Sequence, residues 1–475
     1  MKNLPHIVVI LLDSLRQDFL SCYTSTTLIS PHIDRVAYSG YLFENAITPA
    51  INTTSVHTSL FTGLYLKEHK LHNSSPGRLD EKLPTLAEIL QKHGYVTIGL
   101  SNNVFVGKNR GLDKGFRVFL EAKNFDPRYP SFLPLRILNK GLRLLNLENY
   151  QIGIRYSAEL TIYKAIELLK EVKDKPFFLF MNLMETHIPH YPPLSLWEKL
   201  WKKNLLNLQK KWEHKKLLEY IAQHISGKGE IPPEEIELWK ELCQREIKYA
   251  DHQIGKLIKF LEKENLLNRT FLVITSDHGD YYGEHGLFSH AFGLHDTVIK
   301  VPLIIRYPGI FEGGKRITVQ VQIHDLFPTI MEICKIPPEE YSHISRASLL
   351  HLDSDKFKFA FAETPDNRQC ELMKEILKFN PSFPASFYGG PKSCIRTLNF
   401  KYISHTEGED EFYNLSQDPE EKNNLIREDN PEKSRLREIL KEWKEKTKVR
   451  VKSPLPSSTS MDEETRKRLK ALGYI

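Results

Sequence analysis

The chain has 475 residues, of which 40% are hydrophobic and 27% charged, a composition that is ordinary for a globular protein. Its length excludes a single small core and predicts one large α/β domain with an appendage, or two to three domains. The formal net charge of +6 is small for this length, and the basic residues are dispersed except in the middle and at the C-terminus. The sequence therefore shows no nucleic-acid-binding footprint.

The five cysteines are odd in number, and no two of them have CxxC spacing. This pattern argues against a disulfide framework or a zinc–cysteine site, and it suits a reducing compartment. The first apolar run, residues 7–12, is too short for a signal peptide or a membrane span. We therefore expect a cytoplasmic protein without an integral membrane segment.

Apolar runs alternate with helical patterns through residues 1–125, as in βαβ units. Further runs and periodic segments continue this pattern. Strands are predicted at residues 7–12, 95–100, 177–182, 271–275 and 301–306. Helices are predicted at residues 83–93, 157–172 and 246–264.

Two segments interrupt the alternation. Residues 126–155 are rich in Pro and Leu and irregular, and residues 194–245 have helical spacing without a strand signal. We interpret 194–245 as a helical insertion that is either a lid over the site or a solvated decoration.

From residue 357 the pattern changes to short strands, predicted at 357–362, 395–404 and 411–413, followed by a charged helix at 431–446. This change predicts a catalytic domain over residues 1–355 and a C-terminal α+β subdomain over 356–475.

Two of the predicted strands are followed by residue types that commonly bind metals. Asp277-His278-Gly279 follows the strand at 271–275, and Asp13 follows the strand at 7–12. Because the carboxyl ends of strands in an open α/β sheet form its binding edge, we expect these side chains to meet there. Taken alone, each motif has a turn or a helix cap as its alternative.

Hydroxyl side chains cluster in residues 53–62, where a helix is predicted to begin. A helix N-terminus offers free amide N–H groups and suits an anion. The Thr53 hydroxyl becomes a useful nucleophile only if its pKa is lowered, and a metal held by Asp13, Asp277 and His278 would lower it. The alternative is a Ser/Thr N-cap without chemistry.

These motifs, together with others in the same order, resemble the sulfatase family of the alkaline phosphatase superfamily. The further matching segments are residues 12–18, 30–35, 43–49, 83–90, 111–116, 187–190, 277–302, 412–419 and 472–474. The resemblance covers most of the chain. It implies an alkaline-phosphatase-like three-layer α/β/α sandwich with a mostly parallel central sheet, plus a small C-terminal antiparallel sheet with a helix.

The resemblance also implies roles for individual residues. Asp13, Asp277, His278 and Thr53 would hold one divalent metal, with Thr53 as the nucleophile. His57 stands where the family has an Arg that steadies the nucleophile. His187 would contact the substrate or protonate the leaving group. The remaining candidates are His290, at the position of a Lys or His that binds the transferred group, and Asn102, a candidate for substrate binding.

Two carboxylates, one imidazole and an alkoxide favour Mn²⁺ or Zn²⁺ over an all-oxygen Ca²⁺ site, although Ca²⁺ stays open. His285 and Asp296 are alternative candidates for a second metal.

Three departures from the family pattern bear on the chemistry. Thr53 replaces the Cys or Ser that sulfatases oxidise to formylglycine, which excludes formylglycine here. Ser14 replaces a second Asp, and residues 100–103 replace a cationic Gly-Lys-Trp-His stretch. These departures resemble the phosphodiesterase, phosphonate-ester hydrolase and phosphoglycol-transferase branches, which act through a covalent phosphothreonine.

The resemblance therefore implies a metal-dependent hydrolase of sulfate or phosphate esters, with phosphodiesters or phosphonate esters favoured over sulfate esters. Its substrate would be a small-molecule, glycan or lipid-headgroup ester. The alternatives are a transferase to an alcohol acceptor and a catalytically silent metal-binding homologue. Whether the chain forms a homo-oligomer stays open.

Overall fold

The computed structural model describes residues 4–24, 28–75, 77–121, 157–192, 214–451 and 455–456. A large sheet of eight strands crosses this part of the chain. The strands are β1 His6–Leu12, β2 Tyr41–Ile47, β3 Val96–Ser101, β4 Val118–Glu121, β5 Phe177–Leu183, β6 Thr270–Ser276, β7 Lys300–Arg306 and β8 Lys315–Gln322.

The strands lie side by side in the order β8-β2-β7-β6-β1-β5-β3-β4. Strand β7 runs antiparallel to both of its neighbours, β6 and β2. All other neighbours are parallel. The sheet is therefore mostly parallel, as the resemblance implied.

The central strand β1 shows why the sheet is covered on both faces. All seven of its residues are buried. Its alternate residues enter two different cores, with Ile7, Val9 and Leu11 in one and Val8, Ile10 and Leu12 in the other. A continuous apolar run of this kind is typical of a parallel strand between two helical layers.

The longer helices supply those two layers, apart from the last one, which packs on a smaller sheet. They are α1 Pro31–Ser39, α2 Thr53–Thr62, α3 Leu86–Lys92, α4 Ser157–Val172, α5 His214–Ile225, α6 Pro233–Lys263, α7 Leu326–Ile333, α8 Glu371–Phe379 and α9 Pro431–Lys446. Apolar residues of α1, α4 and α6 join the core that contains Val8, whereas those of α2, α3 and α7 join the core that contains Ile7. The result is a three-layer α/β/α sandwich.

Within the described ranges, no helix combines the length and the apolar character needed to cross a bilayer.

A second, smaller sheet follows in the chain. Its four antiparallel strands are β9 Ala360–Thr364, β10 Lys392–Arg396, β11 Phe400–His405 and β12 Glu411–Asn414. Leu436 and Leu440 of α9 pack against Ile395, Tyr402 and Phe412 of this sheet. The predicted small sheet with its helix is thus confirmed, while the predicted boundary after residue 355 stays a prediction.

Several predicted elements need correction. The strand predicted at 395–404 is a hairpin, because the chain turns at Thr397, whose N–H and hydroxyl both donate to the Phe400 carbonyl. The helix predicted at 83–93 begins only at Leu86, because Thr85 caps it by accepting a hydrogen bond from the Glu88 N–H. Strands β2, β4 and β8 were not predicted. The segment 126–155 and residues 194–213 of the predicted insertion lie outside the described residues, and α5 and α6 contain most of the rest.

Buried ion pairs attach the small sheet to the segment between β6 and β7. Asp296 pairs with Arg396 at 2.7 Å and with Lys401 at 2.5 Å. Lys401 also lies 2.7 Å from a carboxylate oxygen of Glu421, and both of these side chains are almost fully buried. Asp296 is thereby held by two cations, which makes it unsuitable as the metal ligand considered above.

Replacing Lys401 with Met should destabilise the protein, because it leaves the Glu421 carboxylate buried without its cation. Removing one partner of a buried pair costs about 3–5 kcal/mol. The free energy of unfolding from urea denaturation measures this loss. Lys374→Met is the control, because Lys374 is half-exposed in a surface pair with Glu371 and should change stability by less than about 1 kcal/mol. Equal stability of the two variants would contradict the anchoring role.

Candidate active site

The ends of neighbouring strands bring the predicted metal ligands together. Leu12, the last residue of β1, lies opposite Ser276 of β6 and Leu183 of β5. Asp13 and Asp277 are the next residues after these two aligned strand ends. Strand β2 points the same way, since it and β6 both run antiparallel to β7, and it leads to α2. The site therefore lies at the carboxyl edge of the sheet, as predicted.

Asp13, Asp277 and His278 form a compact ligand group. Each offers an atom within 4.8 Å of the others, and all three residues are fully buried. Asp277 Oδ1 accepts hydrogen bonds from the backbone N–H groups of Ser14, at 3.1 Å, and of His278, at 3.0 Å. These bonds fix the carboxylate and direct its other oxygen, Oδ2, away from the backbone.

The electrostatics of this group suit a cation. Burial, with the Asp13 carboxylate beside it, raises the pKa of Asp277, whereas burial and the neighbouring imidazoles of His290 and His187 lower the pKa of His278. Within the described part of the chain, Asp277 Oδ2, His278 Nε2 and Thr53 Oγ1 are buried and have no hydrogen-bond partner. A divalent cation in the ligand group would satisfy Asp277 Oδ2 and His278 Nε2 and offset the repulsion between the two carboxylates. The residues present therefore fit a bound metal, and that Thr53 joins them as a ligand stays a prediction.

A second group of ligand atoms, from His278, Asp280 and His290, overlaps with the first. The ring of His278 has its Nδ1 3.2 Å from the Gly279 carbonyl oxygen, to which it can donate. This leaves one lone pair, at Nε2, and two ions would compete for it. The geometry accordingly agrees with one metal better than with two.

Thr53 is the first residue of α2, and its environment keeps the side chain available. The Asn52 side chain caps the helix by accepting from the Ser55 N–H at 3.2 Å. The Thr54 N–H donates to Asn73 Oδ1 at 2.9 Å. Thr53 itself is not the capping residue, so an N-cap role does not describe this position, and its role in catalysis stays a prediction.

His57 lies one turn further along α2. Its Nδ1 is 2.8 Å from the Thr53 carbonyl oxygen, and its Nε2 is 3.4 Å from Asn182 Nδ2. The rings of Phe61 and Phe180 stand edge-on to it. Burial lowers the pKa of His57 to about 4, although the Asp13 carboxylate opposes this shift. His57 is therefore a neutral group that holds the backbone of Thr53, and it does not reproduce the charge of an Arg.

The other predicted histidines, His290 and His187, lie in succession beside His278. The ring centres of His278 and His290 are 4.0 Å apart, and those of His290 and His187 are 5.7 Å apart. Nδ1 of His290 lies 2.6 Å from Asp280 Oδ1. Asn102 accepts a hydrogen bond from the Thr161 hydroxyl at 3.0 Å. The roles of these residues in catalysis and substrate binding stay predictions.

Several residues around the site were not predicted. Asn103 Nδ2 donates to Asp13 Oδ2 at 2.7 Å, and the Thr186 hydroxyl donates to the Asp13 carbonyl at 2.5 Å. Asn182 Nδ2 donates to His57 Nε2, and Asp280 Oδ1 accepts from His290 Nδ1. Only Asp280 had a usable sequence signal, its position two residues after His278. The candidate His285 lies apart from the ligand groups, stacked on His295 at 3.6 Å.

Comparison with known proteins agrees with this fold and site. A family model described as Sulfatase matches residues 5–336, and one described as N-sulphoglucosamine sulphohydrolase, C-terminal, matches residues 283–450. The first match covers more than half of the chain, so the chain belongs to the sulfatase family and is a sulfatase-family enzyme.

Individual relatives span nearly the whole chain. An arylsulfatase of Clostridium perfringens is 25% identical over 460 residues, covering 89% of this chain and 90% of its own. An N-acetylglucosamine-6-O-sulfatase of Bacteroides thetaiotaomicron is 24% identical, covering 89% and 82%. The solved structure of a phosphonate monoester hydrolase of Agrobacterium radiobacter is similar with a TM-score of 0.71, at 19% identity, covering 97% and 98%. This likeness confirms the predicted fold.

Metal content should depend on Asp277, because its Oδ2 is a buried carboxylate oxygen of the proposed ligand group. Elemental analysis of purified Asp277→Ala should show Mn or Zn falling from about one per chain to near zero, with the circular dichroism spectrum unchanged. Asp280→Asn is the matched control and should keep its metal. Loss of metal in Asp280→Asn alone would place the ion in the second, overlapping group.

Proposed function

We propose that this sulfatase-family enzyme transfers phosphoryl groups through Thr53, with phosphodiesters or phosphonate esters as its preferred substrates. The observation that carries the proposal is the Thr53 hydroxyl. It is buried, it has no hydrogen-bond partner in the described part of the chain, and it stands at the first residue of α2. A hydroxyl in this position is suited to attack an anionic ester.

Side-chain contacts connect the backbone of Thr53 to the ligand group. His57 binds the Thr53 carbonyl, Asn182 contacts His57, and the same Asn182 amide lies 3.5 Å from Asp13 Oδ2. A divalent metal held by Asp13, Asp277, His278 and Thr53, with Mn²⁺ or Zn²⁺ favoured, would lower the pKa of the Thr53 hydroxyl. Thr53 Oγ1 then forms the bond to phosphorus in line with the leaving oxygen.

Two histidines complete the reaction. His290, whose Nδ1 lies 2.6 Å from Asp280 Oδ1, binds a non-bridging oxygen of the transferred group. His187 gives a proton to the leaving oxygen and then takes one from the water that attacks the phosphothreonine. That water forms the new bond to phosphorus, and the bond between phosphorus and Thr53 Oγ1 breaks. Thr53 Oγ1 takes back from solvent the proton that it released to solvent when it attacked.

The residues of the site favour phosphorus over sulfur. A formylglycine hydrate can expel sulfate by cleavage of its hemiacetal, and a threonine has no such exit. In the described ranges, no Lys or Arg forms an ion pair with Asp13, Asp277 or Asp280, and Asn103 binds Asp13 where the family pattern has a cationic stretch. A site with few fixed cations suits a singly charged diester better than a dianionic monoester.

The same intermediate passed to an alcohol would make the enzyme a transferase. Product analysis in the presence of an alcohol distinguishes that activity from hydrolysis.

We further propose that the protein acts in the cytoplasm, which is supported by its five unpaired cysteines.

Thr53→Val should lower kcat by at least about 10³-fold, because it removes the nucleophile and keeps the shape of the side chain. Mass spectrometry of acid-quenched wild-type enzyme should find a phosphate-sized adduct on the peptide that contains Thr53. Thr54→Val is the matched control, since the Thr54 hydroxyl already donates to the Phe105 carbonyl. Wild-type turnover in Thr53→Val would show that water, and not Thr53, attacks the ester.

Phosphate diesters or phosphonate esters should react faster than aryl sulfates that have the same nitrophenyl leaving group. The measurement is kcat/KM for the matched esters at one metal concentration. If the aryl sulfate reacted more than about tenfold faster, a difference of about 1.4 kcal/mol in transition-state stabilisation, the preference for phosphorus would be wrong.

A further inference from the structure

A carboxylate from the long helix α6 reaches the loop that carries His187. Glu246 is almost fully buried. Its Oε2 lies 2.6 Å from His190 Nδ1, and its Oε1 accepts a hydrogen bond from the Tyr191 N–H at 2.6 Å. One side chain therefore holds two successive residues of the loop that follows β5.

The opposite side of the His190 ring is also occupied. His190 Nε2 lies 3.0 Å from the Tyr282 hydroxyl, and the two rings are nearly parallel. A carboxylate can only accept, so Nδ1 carries the hydrogen that Glu246 receives. Burial lowers the pKa of His190 to about 3, which keeps the ring neutral and lets Nε2 accept from Tyr282. We refer to these three side chains as the Glu246–His190–Tyr282 network.

This network joins the two loops that present the histidines of the site. His190 is three residues after His187 on one loop. Tyr282, four residues after His278, belongs to the short strand Tyr281–Tyr282, which pairs with the strand Phe288–Ser289 just before His290. Fixing His190 against Tyr282 thus fixes the distance between His187 and His290.

Other contacts show that the network is rigid. Trp239 lies on α6, about two turns before Glu246. Its ring packs edge-on against Tyr282 and is fully buried. The guanidinium of Arg16 lies over the Tyr282 ring, 5.7 Å from its centre. With both nitrogens of His190 bound and the Tyr282 ring enclosed, the loop has little freedom to change the position of His187.

We propose that Glu246 is a positioning residue, which through His190 sets the place of His187 relative to the leaving oxygen. The inference rests on the proposed function, because it uses the role given there to His187. It adds a task for α6, a helix that contains part of the predicted insertion: the helix supplies a group on which leaving-group protonation depends.

Leaving-group dependence separates positioning from general support of the fold. A nitrophenolate leaves without a proton, whereas an alkoxide needs one, so an acid that is displaced slows only the second reaction. Glu246→Gln should lower kcat/KM for an alkyl phosphodiester by about 10²-fold and for the matched nitrophenyl diester by less than about threefold. Glu237→Gln is the control on the same helix, because Glu237 is exposed and forms a surface pair with Lys240, and it should affect neither substrate.

His187→Ala tests the underlying role separately, and it should show the same selectivity for the alkyl ester. If His187→Ala slows both esters equally, the role of His187 is wrong and the inference falls with it, while the Thr53 adduct still tests the proposed nucleophile. If His187→Ala is selective and Glu246→Gln slows both esters equally, Glu246 only supports the fold and our inference is overturned. Should Glu246→Gln not fold, Tyr282→Phe breaks the same network from its other end and must show the selectivity.

Discussion

Two carboxylates that cannot move apart are the constraint on which the site depends. Asp13 and Asp277 follow β1 and β6, which are paired in register up to their last residues. The spacing of neighbouring strands, roughly 4.8 Å, therefore sets how close the two side chains begin. Both are fully buried, so water cannot weaken their repulsion. A proton or a cation has to offset it, and the surrounding groups fix the carboxylates in orientations that suit a cation.

Much of this arrangement follows from the sequence. A strand such as β1, apolar at every position, can only lie between two layers, and a carboxylate directly after it must appear at the carboxyl edge. The pairing of Asn103 and Asn182 with Asp13 could not be predicted in this way. It depends on β5 lying between β1 and β3, an order that is set by the crossovers and has no local signal. The hairpin at Thr397 was missed for a different reason, because its turn lacks the Gly that marks many hairpins.

The histidines of the site differ in how the fold treats them. His57 is enclosed by phenylalanine rings and stays neutral, so it contributes hydrogen bonds and no charge. His290, by contrast, has a polar neighbour, because its Nδ1 lies 2.6 Å from Asp280 Oδ1. The two histidines therefore have different surroundings, which agrees with our proposal that they serve different groups in the reaction: His57 holds the backbone of Thr53, and His290 binds the transferred group.

The antiparallel direction of β7 has a consequence for how such an enzyme can change. Because β7 pairs antiparallel with β6, the segment between them leaves the sheet and returns to it at the same edge, on adjacent strands. Its length is therefore not fixed by the need to cross the sheet, as it is for the connections between parallel strands. Residues can be added to or removed from this segment without altering the register of any strand. The segment can consequently change in length outside its two fixed points, the Tyr282 contact with His190 and the Asp296 ion pairs, while Asp13 and Asp277 remain at the strand ends.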